Sequence, residues 1–242
     1  MSADALDSWF RTYREIDDIL ITHVDLSPDE ECEAHAISWL DEKERDRLRR
    51  YRYDRPRREF ALCRAVLRSI LCSRLGCENG RLSFGTFEHG KPFGLVDGKA
   101  APVSFNVSHS GKHGLIALAP KGRLGVDVEE RVNRIDLDGV GEFVFGPEEQ
   151  ADFASVKKYE KRHLFFKLWT LKEALIKALG TGFSLDPSRF EIPPEMRRGA
   201  RKGIFRFPHI PEARWRLENL GNADFAAAIA QELDPALDTK GE

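Results

Sequence analysis

No apolar run in this chain approaches the ~20 residues that a membrane-crossing helix needs, so no membrane partner is expected. The opening Met1-Ser-Ala-Asp-Ala-Leu-Asp7 lacks the basic stretch and apolar segment of a secretory leader, which predicts a cytoplasmic protein. Cysteine is scarce. Cys32, Cys63, Cys72 and Cys77 form no Cys-x-x-Cys pair, which favours reduced structural thiols over a disulfide framework or a zinc site. Net charge is nearly absent at −2, which argues against a bulk nucleic-acid binder. Six histidines (His23, His35, His89, His113, His163 and His209) have no metal-ligand spacing, and no residue-level repeat is visible.

What remains is an ordinary globular composition, 41% hydrophobic and 32% charged over 242 residues, enough for one large domain or two small ones. The most strongly patterned stretch is Phe165-Phe-Lys-Leu-Trp-Thr-Leu-Lys-Glu-Ala-Leu-Ile-Lys-Ala-Leu-Gly-Thr-Gly182. Its Leu, Ala, Lys and Glu content, with stops at Gly180 and Gly182, predicts a helix. Leu164, Leu168, Leu171, Leu175 and Leu179 form one stripe. Phe166, Trp169, Glu173 and Lys177 form another, so the helix should lie between two layers, with Glu173 at the wall of an interior site. The plain alternative is an exposed i,i+4 Glu173–Lys177 pair, worth ~0.2–0.5 kcal/mol.

In chain order, residues 17–26 read as a strand and 29–40 as an acidic helix. Ten arginines then lie between Arg45 and Arg68; most suit a solvated helix face, and one or two suit a phosphate site. Residues 60–75 form an amphipathic helix closed by Gly76. Short strands are expected at 82–87, 103–109, 114–119 and 124–129, the last three as an antiparallel meander. Pro147-Glu-Glu149 marks a helix start. Further strands are expected at 190–192, 203–207, 213–217 and 224–230, before a polar tail from Asp234. Helices backed by short strands in each half predict an α+β fold of two subdomains, residues 1–121 and 122–242.

Asp127 and Glu129 are spaced to share one strand face, with Val126 and Val128 on the other. Adjacent carboxylates repel. Either a solvated face or a divalent cation relieves that, and oxygen ligands favour Mg²⁺ or Mn²⁺; Glu173 would add a third carboxylate.

Gly90-Lys-Pro92, Phe105-Asn-Val-Ser-His109, Gly125-Val-Asp-Val-Glu129 and Phe166-Lys-Leu-Trp-Thr-Leu-Lys-Glu-Ala174, with Lys177, stand in the order and spacing of the Sfp-type phosphopantetheinyl transferases. The chain resembles that family from about Leu40 to Phe183. The resemblance implies Mg²⁺-dependent transfer of the 4′-phosphopantetheine arm of coenzyme A to a serine of an acyl, polyketide or peptidyl carrier protein, releasing 3′,5′-ADP. It also implies two similar α+β halves related by a pseudo-twofold, each with helices on a small, mostly antiparallel sheet. Coenzyme A would lie in the cleft between them, and a single chain would form it, so a monomer is expected. Asp127, Glu129 and Glu173 match the metal carboxylates. Glu173 and Lys177 match the catalytic pair. Arg47, Lys91, Pro92, Asn106, Ser108, His109, Asp127 and Lys177 match the coenzyme A positions. Some relatives carry a basic residue where this chain has Glu44, with Lys43 beside it. A coenzyme A-binding module without catalysis would lack a carboxylate, and all three are present. A metal-dependent nuclease would need the arginine cluster as its nucleic-acid surface.

Overall fold

The computed structural model describes residues 9–132, 136–181 and 185–233. The chain divides into two compact units at Lys121/Gly122. Both are helices packed on antiparallel sheet, so the fold is α+β.

The N-terminal unit contains β1 (Phe10–Ile16), β2 (Ile19–Asp25), α1 (Glu30–Trp39), α2 (Glu42–Arg49) and α3 (Asp54–Leu75). They are followed by β3 (Leu82–Thr86), β4 (Pro92–Val96), β5 (Lys99–Ala100), β6 (Ser104–Ser110) and β7 (His113–Ala119). One sheet has the order β1-β2-β7-β6 and a smaller one β3-β4-β5. Asp29 caps α1 by accepting from the Cys32 N–H at 2.9 Å. Asp41 and Glu44 form a reciprocal capping box on α2, which satisfies two otherwise unpaired backbone donors. Leu62, Val66 and Leu71 of α3 are buried with Val24, Ile116 and Leu118 of the sheet.

The C-terminal unit contains β8 (Leu124–Glu130), α4 (Leu137–Val144), α5 (Pro147–Ser155), α6 (Lys158–Leu179), α7 (Pro194–Arg197), β9 (Lys202–Phe207), β10 (Ile210–Asn219) and β11 (Phe225–Glu232). Its sheet runs β8-β11-β10-β9. Leu168, Leu171 and Leu175 of α6 pack with Phe207, Trp215 and Ala228 in the core. No helix among the described residues is long and apolar enough to cross a membrane, and no disulfide joins the four cysteines.

Several expectations need correction. The three-strand meander does not form: β6 pairs with β7, but β8 pairs with β11 in the other unit's sheet. Tight-turn chemistry at Pro120-Lys-Gly122 looks alike whether the next strand pairs locally or opens a new unit. Residues 190–192 are extended without a ladder, because side chains take their backbone groups. The Ile192 N–H donates to Glu149 Oε1 at 2.7 Å, and the Phe190 carbonyl accepts from Lys172 Nζ at 2.5 Å. Helix α3 begins at Asp54 rather than residue 60; Pro56 in its first turn is tolerated where no intrahelical N–H is needed, and Arg55 pairs with Glu59 at 2.8 Å. Helix α6 likewise begins at Lys158. Strands β1, β4 and β5 and helix α4 were not expected. Gly182 and the tail from Asp234 lie outside the described residues.

The arginine-rich stretch is less solvated than expected. Arg68 is 1% exposed, pairing with Asp41 and with Glu44 Oε2 at 2.6 Å. Its remaining N–H groups reach Asn79 and the Leu82 carbonyl. Arg58 donates to the Leu26 carbonyl at 3.0 Å.

Candidate active site

Strand β8 and helix α6 meet unusually closely. A Cβ on Gly125 would lie 2.1 Å from the Ala174 carbonyl oxygen and 2.4 Å from the Ala178 nitrogen, so only glycine permits this approach. Alternation along β8 then presents Asp127 and Glu129 to the same helix. Lys177 donates to Asp127 Oδ1 at 2.6 Å, and Trp169 Nε1 donates to Glu129 Oε1 at 3.3 Å. Glu173 lies one helical turn from each of these helix residues. Burial raises its carboxyl above the usual range, Asp127 and Glu129 raise it further, and Lys177 opposes them. Burial penalises the charged form and like charges penalise it again, so these three carboxylates form one electrostatic cluster. The interior-wall reading of Glu173 agrees with this geometry better than an exposed Glu173–Lys177 pair.

The N-terminal unit holds a cavity of about 360 Å³ between α2, α3 and the β3–β4 turn. Arg47, Phe60, Arg64, Phe84, Pro92 and His109 are among its lining residues. Arg47 places its guanidinium 4.7 Å over the Phe60 ring. His109 Nδ1 lies 3.4 Å from Glu59 Oε2, and the side chain remains 44% exposed. Gly90 and Pro92 border the cavity, whereas Lys91 between them does not; the Lys91 carbonyl accepts from the Phe87 N–H at 2.9 Å. Asn106 and Ser108 are buried and alternate with Val107 and His109 along β6, so they occupy the strand face turned from the cavity. Sequence reasoning missed Phe60, Arg64 and Phe84 as cavity residues. The helical spacing of Phe60 and Arg64 was available as a signal, but nothing in the sequence joined them to Phe84.

Among the described residues no group of three or more His, Cys, Asp and Glu side chains stands at metal-ligand spacing. The donor chemistry still suits a hard divalent cation, since Asp127, Glu129 and Glu173 offer only oxygen. In this arrangement the Lys177 ammonium supplies the positive charge beside Asp127.

A family model for the 4′-phosphopantetheinyl transferase superfamily matches residues 123–230, and one for the N-terminal part of 4′-phosphopantetheinyl transferases matches residues 26–121. A Synechocystis protein named as a 4′-phosphopantetheinyl transferase is 32% identical over 184 residues, covering 74% of this chain and 71% of that one. The chain belongs to the 4′-phosphopantetheinyl transferase superfamily. The transferase HetI of Nostoc is also 32% identical, over 69% of this chain and 71% of its own. Sfp of Bacillus subtilis is 27% identical over 70% and 73%. This phosphopantetheinyl transferase therefore resembles the Sfp type along both of its units, and it is an enzyme of that kind.

Proposed function

We propose that the chain transfers the 4′-phosphopantetheine arm of coenzyme A to a serine of an acyl, polyketide or peptidyl carrier protein, releasing 3′,5′-ADP. The observation that carries the reading is the convergence of Asp127, Glu129, Glu173 and Lys177 where β8 meets α6. The chemistry is phosphoryl transfer at a diphosphate, in which positioning and charge neutralisation do most of the catalysis. A Mg²⁺ ion, or Mn²⁺, held by the three carboxylates would neutralise diphosphate oxygens.

Glu173, whose carboxyl is held above the usual range, accepts the serine proton as the oxygen attacks phosphorus. The phosphoanhydride bond breaks, and its electrons leave on the phosphate of 3′,5′-ADP. Lys177 neutralises or protonates that leaving oxygen. Arg47, Lys91, Pro92 and His109 serve the nucleotide, with His109 and Lys91 on its 3′-phosphate. Asp127 and Lys177 are the C-terminal unit's coenzyme A contacts, and Asn106 and Ser108 of β6 complete the set in the N-terminal unit. The protein acts as a cytoplasmic monomer and takes no nucleic acid.

Labelling an apo carrier with a fluorescent coenzyme A tests this. Label should transfer in Mg²⁺, and chelation should stop it. Binding of coenzyme A without transfer to any carrier would support a non-catalytic module instead.

A further inference from the structure

The C-terminal unit holds a cavity of about 320 Å³ between the first turns of α6, the end of β8 and the β10–β11 loop. Arg131, His163, Leu164, Lys167, Asn219 and Ala226 are among its lining residues. Ala226 is the cross-strand partner of Glu129, and Arg131 follows Glu129 by two residues, so the cavity borders the carboxylate cluster. Its cations lack counter-charge. Among the described residues no carboxylate forms an ion pair with Arg131, His163 or Lys167, whereas Lys161 of the same helix pairs with Asp138. Glu160 also lines the cavity, but it is exposed and pairs with none of them. Arg131 Nη1 donates to the Ala223 carbonyl at 3.1 Å, and its Nε is buried with no hydrogen-bond partner among the described residues. Lys167 Nζ donates to the Arg197 carbonyl at 3.3 Å, which leaves two more donors on the ammonium. Asn219 Oδ1 accepts from the Gly221 N–H at 2.9 Å, so its amide N–H groups remain for a ligand. The Tyr159 ring lies 4.0 Å from that of His163. Burial lowers the Lys167 ammonium, and burial with Arg131 and Arg162 nearby lowers the His163 imidazolium; both shifts fit a cavity short of negative charge.

Donors without acceptors, gathered on one cavity, suit an anion. None of the residues matched to coenzyme A or to the metal lines this cavity, so neither accounts for its charge. We propose that Arg131, His163 and Lys167 form a separate anion site, which takes one carboxylate or phosphate group beside the carboxylate cluster. Arg131 supplies a planar fork for two oxygens, and Lys167 supplies a point charge. Such a group has two sources, a free phosphate-like ion or an acidic side chain of the carrier protein. Only the second source rests on the transferase reading above.

Two measurements on the full chain test the site and tell the sources apart. Phosphorus NMR titration with inorganic phosphate, at constant ionic strength with saturating coenzyme A and no metal, reads the free ion. Steady-state transfer to an apo carrier in Mg²⁺ reads the carrier side chain. Wild type is compared with Arg131→Met, Lys167→Met and the control Arg189→Met, a residue 80% exposed and outside the cavity. If the source is a free ion, wild type binds phosphate and Arg131→Met weakens it about fivefold or more, as loss of a charge-assisted contact requires. If the source is the carrier, Arg131→Met raises KM for the carrier about fivefold or more without moving KM for coenzyme A. Lys167→Met should act in the same direction, and it decides the matter if Arg131→Met does not fold. Phosphate binding that neither variant weakens, or absent phosphate binding with an unchanged carrier KM, would overturn the site. Equal losses in Arg189→Met would overturn it too, leaving only general surface charge. Wild type that transfers nothing would overturn the transferase reading, and the phosphate titration would then decide the site by itself.

Discussion

Helices α3 and α6 are both 22 residues long and both end at a glycine in the left-handed region, Gly76 at φ 62° and Gly180 at φ 77°. Each buries one cation, Arg68 and Lys172, at the same distance from its closing glycine. Arg68 ties α3 to Asp41, Glu44, Asn79 and the Leu82 carbonyl. Lys172 ties α6 to Glu149 at 2.7 Å and to the Pro187 and Phe190 carbonyls. Counted back from the glycines, however, the places of Trp169, Glu173 and Lys177 in α6 are held in α3 by Ala65, Ser69 and Ser73. Conversely, Phe60 and Arg64 of α3 correspond to Leu164 and Leu168 of α6. The buried cation is thus part of the architecture of each unit. The carboxylate face and the aromatic–arginine cavity are separate additions, one to each unit.

The largest effects should come from breaking the shared feature. Lys172→Met and Arg68→Met should each destabilise by about 3–5 kcal/mol in urea unfolding, because each leaves buried carboxylates without their cation. Burial already raises the Glu149 carboxyl and lowers the Lys172 ammonium, so Lys172→Met with Glu149→Leu should recover much of the loss. A large cost for one helix and none for the other would break the comparison.

Next come substitutions that should separate function from fold. Asp127→Ala and Glu173→Gln should lower transfer by at least about 10²-fold, within the range of lost acid–base catalysis. Glu173→Gln should not lower the melting temperature, since it removes a carboxylate repelled by Asp127 and Glu129, whereas Asp127→Ala also gives up the Lys177 ion pair and should lower it modestly. Ser69→Ala, at the matching place in α3, should change neither transfer nor melting. Melting that falls in parallel with transfer would make the carboxylates structural.

Glycines at the helix–sheet contacts give a smaller and graded pair. Gly125→Ala puts a methyl against α6 backbone and should cost about 1–3 kcal/mol in stability, with reduced transfer. Gly114→Ala meets the Cys63 Sγ at 2.8 Å, a side-chain atom, and should cost less. Equal costs would show that the β8–α6 approach is no tighter than its N-terminal counterpart.

The smallest effects belong to the cavity. His109→Ala should weaken coenzyme A by about 1 kcal/mol and dephospho-coenzyme A hardly at all, as expected for a contact made by a side chain that is 44% exposed. Arg57→Ala should leave both unchanged in calorimetry. Equal changes across all of these would make the anion site diffuse.

The carboxylate face was legible in the sequence because both of its elements are regular. Period two aligns Asp127 with Glu129, and helical spacing aligns Trp169, Glu173 and Lys177, so register alone joins them. Lys172 and Arg68 were not legible. Lys172 sits beside Glu173 and Arg68 closes an arginine-rich stretch, so each reads as surface, and its burial depends on partners remote in the chain, Glu149 and the Pro187 and Phe190 carbonyls for Lys172, Asp41 and Asn79 for Arg68. The misread strand at 190–192 has the same origin, since its backbone is claimed by Lys172 and Glu149. Local pattern reports faces, but not which distant group will fill a buried donor.

Glu173 acting chemically is the step on which phosphopantetheinyl transfer by this chain depends most. One assay addresses it directly: apo carrier, coenzyme A and Mg²⁺ with wild type or Glu173→Gln, following intact carrier mass and 3′,5′-ADP together. Wild type should yield holo carrier and 3′,5′-ADP in equal amounts. Glu173→Gln should yield neither above background while still binding coenzyme A with wild-type affinity. Equal product from both proteins, or holo carrier formed without 3′,5′-ADP, would contradict it.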